Sequence, residues 1–200
     1  MKKESLIKLL SLKKEWAQKD LVEKTECTKG YVSRTIRKLE DLNIVTKTSR
    51  NKIIVIDLPK LLNYWTSIRK LPSPIYIDIK EPIENIEKKL KKSKIDYSLT
   101  LFSAAWHRIK LLKVDKIEVY LLKKDLQKFL KLASKLGGRP SPYGKVEVYV
   151  ADKYDLIGSE KINGLNLVPI TQNYVDLMVV GGNGTRVALE LAKKFGLLGV

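Results

Sequence analysis

Apolar residues recur at helical spacing in two short segments near the start of the chain. The positions are Leu21, Val22, Val32, Ile36 and Leu39. A spacing of three or four residues places side chains on one face of a helix. Glu26-Cys27 separates the segments, and the Thr28 side chain can accept a hydrogen bond from the free amides that open a second helix. The pattern predicts two helices joined by a tight turn.

Two β-prone runs follow, over residues 44–48 and 53–57, with Ser49-Arg50-Asn51-Lys52 between them. They predict a hairpin, and the segment 1–58 is therefore predicted to be a first domain of three short helices and one hairpin. Leu58-Pro59 interrupts this pattern, and the prolines of Leu71-Pro72-Ser73-Pro74 favour extended backbone. Residues 59–74 are predicted to form a linker.

From residue 75 to residue 200, strand-like and helix-like segments alternate. Strands are predicted over residues 75–79, 97–101, 116–122 and 146–150, and helices over residues 82–94, 103–112, 124–136, 171–180 and 185–195. The predicted fold class is α+β, in which an N-terminal winged helix-turn-helix precedes a mixed α/β C-terminal domain. Within the closing pair of helices, Asp176 is expected to cap or orient one helix.

The charge balance of the chain indicates the class of molecule that it binds. Lys and Arg number 39 against 22 Asp and Glu, which leaves a net charge of +17. Such an excess points to a polyanion, nucleic acid first and an anionic membrane surface second. Cys27 and His107 are the only soft metal ligands, so we expect no metal site and no cofactor, and a reducing cytoplasm as the compartment. No apolar run approaches the roughly 18 residues of a membrane span, and no signal peptide is expected.

The basic residues concentrate on the second predicted helix and on the hairpin tip. Arg34 and Arg37 are the main candidates for reading guanine in the major groove, because a guanidinium can donate two hydrogen bonds to one base edge. At the hairpin tip, Lys47, Arg50 and Lys52 are placed to lie along a phosphate backbone or to enter the minor groove. The predicted DNA-binding residues are Thr28, Lys29, Tyr31, Ser33, Arg34, Arg37, Lys38, Lys47, Arg50, Asn51 and Lys52.

Residues 17–25 and 29–40 together resemble the winged helix-turn-helix of many prokaryotic regulators. Further along, residues 97–106 followed by 116–121 are similar to the strand, small-residue helix and strand of the AbiEi-like antitoxins of type IV toxin–antitoxin systems. Residues 173–177, Gly181-Gly182-Asn183-Gly184 and residues 188–192 resemble the closing segment of that family. The family's turn is often more basic than this one.

The resemblance implies a transcriptional regulator that represses its own operon through the N-terminal domain. It also implies a C-terminal domain that counters a nucleotidyltransferase-like toxin. The expected partners are double-stranded DNA, with an inverted-repeat operator bound by a homodimer, and the cognate toxin. The same resemblance is also compatible with a stand-alone regulator that has kept this architecture.

Enzyme motifs are weak, and we expect no enzymatic activity. Gly158-Ser159 could open a nucleotidyltransferase site, but Asp176 is followed two residues later by Met178 and not by a second carboxylate. The alternative is a metal-dependent nuclease that docks on DNA, for which Asp78-Ile79-Lys80 supplies part of a motif. A run of lysines between Lys88 and Lys94 is either a solvated helix face or an additional phosphate contact.

Overall fold

Residues 2–50, 52–111 and 115–199 are described by the computed structural model, and they form two units of helices and strands. Unit 1 consists of residues 2–69 together with 192–199, and unit 2 consists of residues 70–191. Each unit contains both helices and strands, so the predicted α+β class is confirmed. The assignment of unit 1 to the winged helix-turn-helix class, and the separate functions of the two parts, stay predictions.

Within its described residues, unit 1 contains four whole helices and a small three-stranded sheet that includes the hairpin. Its elements are α1 (Lys2–Leu12), β1 (Glu15–Ala17), α2 (Gln18–Thr25), α3 (Lys29–Asp41), β2 (Val45–Lys47), β3 (Lys52–Val55) and α4 (Leu58–Ile68). The strand order is β1-β3-β2, with both pairings antiparallel. Two consecutive helices and an antiparallel hairpin are therefore present where the sequence predicts helices and a hairpin, and β1 is an additional strand.

Helix α3 has the start and the buried face that the sequence predicts. The Thr28 hydroxyl oxygen accepts a hydrogen bond from the Tyr31 backbone amide at 3.3 Å, which satisfies one of the free amides of the first turn. Val32, Ile36 and Leu39 are at most 3% exposed. After the helix ends, Asn43 adopts a positive φ of 53°, a conformation that asparagine tolerates better than most residues. This turn leads into β2.

Helix α4 corrects the predicted linker, because most of residues 59–74 belong to a helix of unit 1. The Asp57 carboxylate accepts a hydrogen bond from the Lys60 amide at 2.8 Å, and this bond is the main cause of the lowered pKa of Asp57. Pro59 lies in the first turn, where a missing amide proton leaves no bond unmade. The buried residues of α4 are Leu61, Leu62 and Trp65, each 0% exposed. Helix α4 packs against α1, and Glu4 of α1 binds the Arg69 guanidinium.

Unit 2 is built on one mixed sheet. Its elements are β4 (Ile75–Asp78), α5 (Ile83–Lys91), β5 (Tyr97–Leu99), α6 (Leu101–Ile109), β6 (Ile117–Leu122), α7 (Leu126–Ser134), β7 (Arg139–Ser141), β8 (Val146–Ala151), α8 (Lys153–Leu156), β9 (Glu160–Ile162), β10 (Leu165–Leu167), α9 (Ile170–Val180) and most of α10 (Asn183–Phe195), whose residues 192–195 belong to unit 1. The strand order is β7-β4-β8-β6-β5-β10-β9. The β6–β8 and β5–β10 pairs are parallel, and the others are antiparallel.

A buried hydrogen-bond network joins helix α9 to this sheet. Asp176 of α9 is 0% exposed, and its Oδ2 accepts hydrogen bonds from the Thr100 hydroxyl at 2.9 Å and from the Tyr120 hydroxyl at 3.0 Å. Asn173 donates to the Leu101 carbonyl at 2.9 Å. Asp176 therefore orients α9 as expected, but it does so by binding strand β6 and the end of strand β5 and not by capping a helix.

A second buried carboxylate lies on the central strand β6. Glu118 is 1% exposed, and its Oε2 accepts a hydrogen bond from the Ser103 amide at 2.9 Å. Lys116 lies 3.5 Å from Glu118 and 2.8 Å from Glu147, so one ammonium group serves two carboxylates. Burial raises the pKa of Glu118 to about 7, although Lys116 and the Ser103 amide act in the opposite direction.

Candidate nucleic-acid interface

The outer face of helix α3 carries most of the predicted contacts. Arg34, Arg37 and Lys38 are exposed, whereas Val32, Ile36 and Leu39 are buried on the opposite face. Arg34 and Arg37 are three residues apart, so they are neighbours on the helix surface. The helix therefore presents a pair of guanidinium groups to solvent, as the sequence predicts.

A groove of about 810 Å³ runs beside the first turns of α3. It is lined by Gln18, Lys19, Val22, Lys29, Gly30, Ser33 and Lys47. Helix α2, helix α3 and strand β2 thus bring together three predicted residues, Lys29, Ser33 and Lys47. Among the described residues, this lining includes three lysines and no acidic residue. The groove is therefore electrostatically favourable for an anionic group.

Gly30 in this lining is exposed and lies in the first turn of α3. A Cβ atom built at Gly30 would meet no heavy atom within 4 Å, so packing does not require glycine there. Glycine lowers the stability of a helix relative to alanine. The sequence analysis did not select Gln18, Lys19 or Gly30, because their shared groove depends on how α2 folds against α3.

The basic residues of the β2–β3 hairpin differ in their surroundings. Lys47 lines the groove and Arg50 is exposed at the turn, which is closed by backbone bonding between Thr48 and Lys52. The Lys52 ammonium pairs with Glu15 of β1 at 2.6 Å, and both side chains remain about half exposed. Asn51 was also predicted to contact DNA, and it lies outside the described residues.

Thr28 and Tyr31 have structural partners at the start of α3. Beyond the capping bond between these two residues, the Tyr31 carbonyl accepts a hydrogen bond from the Thr35 hydroxyl at 3.0 Å. Tyr31 is half-buried, while Thr28 is exposed. Both residues fix the beginning of the helix that carries the arginines.

The cations of this surface are not neutralised within the part of the chain that the structure describes. Over residues 2–50, 52–111 and 115–199, no carboxylate lies within ion-pair distance of Lys29, Arg34, Arg37, Lys38, Lys47 or Arg50. Lys52 and Lys60 of the same unit do form ion pairs. The six cations on and beside α3 therefore keep their charge without an ion-pair partner among the described residues.

The residues considered for catalysis, and His107, which was considered as a metal ligand, have other contacts. Asp78 lies 3.9 Å from Arg139 across the β4–β7 pair, and His107 bonds to Glu87 at 2.7 Å through Nε2. Ser159 is hydrogen-bonded to Ser98 and to the Leu156 carbonyl. Among the described residues, no three His, Cys, Asp or Glu side chains are grouped so that they could hold a metal ion.

No protein-family model matches the chain, and no curated protein matches it. Within the described residues, none of the helices combines the length and the apolar character that a bilayer crossing requires.

Proposed function

We propose that this chain is a sequence-specific DNA-binding transcriptional regulator. In this proposal unit 1 is a winged helix-turn-helix, α3 is its recognition helix and the β2–β3 hairpin is its wing. The observation that carries the proposal is the unneutralised basic face of α3 beside a groove lined by Lys19, Lys29 and Lys47. The net charge of +17 supports a polyanionic partner.

In an α-helix that lies in the major groove, arginines and lysines would make different kinds of contact. Arg34 and Arg37 would donate paired hydrogen bonds to guanine O6 and N7, which distinguishes guanine from the other bases. Lysines bind phosphates as point charges, so Lys29 and Lys47 would fix the position of the helix without reading sequence. The groove would then hold a stretch of phosphate backbone.

The finer identity that we propose is an autorepressing antitoxin of a type IV toxin–antitoxin system, acting in the cytoplasm. It rests on a sequence resemblance to the AbiEi-like antitoxins, which covers residues 97–106, 116–121, 173–177, 181–184 and 188–192. The partners would be an inverted-repeat operator bound by two copies of the chain, and a nucleotidyltransferase-like toxin. A reading frame of that kind beside the gene would support this identity, and its absence would favour a stand-alone regulator.

The regulator proposal is tested with Arg34→Ala and Arg37→Ala in the full chain. The operator is first recovered by selecting bound sequences from a random duplex library. Each variant is expected to lose about 1–3 kcal/mol of binding free energy on the selected site and little on random duplex, because a base contact is lost and the phosphate contacts remain. Fluorescence anisotropy measures both affinities, and Lys24→Ala on the exposed side of α2 is the control.

Two results would contradict this proposal. Equal losses on both DNAs would place the arginines on the backbone, and a selection that enriches no sequence would remove sequence-specific reading. Plasmid cleavage in Mg²⁺ or Mn²⁺ that disappears in Asp78→Ala would replace the regulator with the nuclease alternative.

A further inference from the structure

Helix α5 of unit 2 is strongly two-sided. Ile86 and Leu90 are at most 1% exposed on its inner side. Five lysines in and just after its last turns are exposed, and we call them the α5 lysine surface. They are Lys88, Lys89, Lys91, Lys92 and Lys94. Only neutral residues stand between these lysines in the sequence.

Several other cations of unit 2 are paired with carboxylates. Lys116 bonds to Glu147 at 2.8 Å, Lys124 to Asp96 at 2.8 Å and Lys128 to Asp125 at 2.7 Å. Over the described residues, by contrast, no carboxylate lies within 4.0 Å of any ammonium of the α5 lysine surface. Within the described part of unit 2, unpaired lysines also occur elsewhere, for example Lys123 and Lys131, but α5 and the residues just after it bring five of them together within seven positions.

The acidic residues of α5 do not change this result. Glu87 is directed to His107, at 2.7 Å. Glu84 lies one turn before Lys88 and makes no ion pair with the described part of the chain. The helix macrodipole favours cations near the C-terminal end of α5, but like charges one turn apart, such as Lys88 and Lys92, repel each other. A row of phosphates would remove that repulsion.

We propose that the α5 lysine surface is a second DNA-contacting surface, which binds the phosphate backbone of duplex DNA without reading its sequence. It goes beyond the proposed reading of an operator by α3, since it lies in the other unit and needs no base contact. Lysine ammonium groups on a flexible stem suit phosphate contacts of this kind. With two contact surfaces on one chain, binding at either raises the effective concentration of DNA at the other.

The test uses the full chain with Lys88→Gln, Lys91→Gln and Lys92→Gln combined. Affinity for a random duplex is measured by fluorescence anisotropy between about 50 and 200 mM salt, because each phosphate contact contributes about 0.9 to the slope of log affinity against log salt. We expect the slope to decrease by about two to three units. The control variant, Lys123→Gln with Lys131→Gln and Lys135→Gln, removes the same charge from exposed positions on and beside α7 and should leave the slope near its original value.

An unchanged slope, or an equal decrease in the control, would overturn the proposal, and so would a decrease seen on duplex RNA but not on DNA. Thermal unfolding checks that the substituted chain remains folded, which exposed Lys→Gln changes should preserve. The result is independent of the regulator proposal. If Arg34→Ala and Arg37→Ala fail to separate selected from random duplex while the α5 variant lowers the slope, the regulator proposal fails and the α5 lysine surface stands.

Discussion

Glu118 is a single residue through which unit 2 responds to pH. Its carboxyl group is buried, and burial raises its pKa from 4.5 to about 7 in the folded chain. Between these two values the unfolded chain has already released this proton while the folded chain still holds it. The contribution of Glu118 to stability is therefore most favourable below about pH 4.5 and declines as the pH rises through about 7.

Glu118→Gln should remove that decline. We expect the variant to be more stable than the original chain at pH 8, by roughly 1–3 kcal/mol from the size of the pKa shift, and to differ little at pH 4, where Glu118 is neutral. Urea unfolding of both chains at pH 4, 6 and 8 measures the difference. The exposed Glu190→Gln is the control and should change stability by less than about 0.5 kcal/mol at each pH.

The opposite result is equally informative. A loss of stability at pH 8 in Glu118→Gln would mean that the attraction between Lys116 and the charged Glu118 outweighs the cost of burying the carboxylate.

At the scale of one element, a substitution at Gly30 of helix α3 is expected to change stability and DNA binding in opposite directions. Gly30→Ala should stabilise unit 1 by about 0.5–1 kcal/mol, because alanine favours helix and the added methyl group meets no neighbour within 4 Å. In the proposed complex the same methyl group would stand in the groove where DNA approaches. We therefore expect higher stability together with weaker DNA binding, measured by thermal unfolding and fluorescence anisotropy.

Gln18 lines the same groove and is not among the predicted DNA-binding residues, so Gln18→Ala, which adds no bulk, serves as the comparison. If Gly30→Ala raises stability and leaves DNA affinity unchanged, the start of α3 does not approach DNA closely.

The elements that the sequence predicted correctly are those with a strong local signal. Helix α3 has regular apolar spacing and Thr28 as its cap, and both were visible in the sequence. The sequence does not predict helix α4, because Leu58-Pro59 interrupts the local pattern, although proline after a capping Asp57 is a common helix start. Strand β1 was missed for a different reason. Its three residues are ordered by pairing with β3 far along the chain, and no local pattern records such a partner.

At the scale of the whole molecule, the position of α4 changes how unit 1 can be isolated. A fragment of residues 1–58 would end before α4 and would leave the apolar side of α1 without Leu61, Leu62 and Trp65. Each buried apolar side chain contributes about 1.5–3 kcal/mol, so we expect this fragment to lack a cooperative thermal transition. Residues 1–69 should recover a transition below that of the full chain and should bind DNA, as followed by circular dichroism and anisotropy.

A cooperative 1–58 fragment that binds DNA as well as 1–69 would show that α4 is dispensable and that the predicted boundary at residue 58 was correct.

The chain returns to unit 1 at residues 192–199, after the whole of unit 2. During synthesis the ribosome therefore releases most of unit 1 first and its last segment only after every strand of unit 2 has been made. Domains usually fold as units in the order in which they emerge. Here unit 1, which carries α3, is the first to be started and the last to be completed. A chain whose translation stops within unit 2 therefore leaves unit 1 without its last segment.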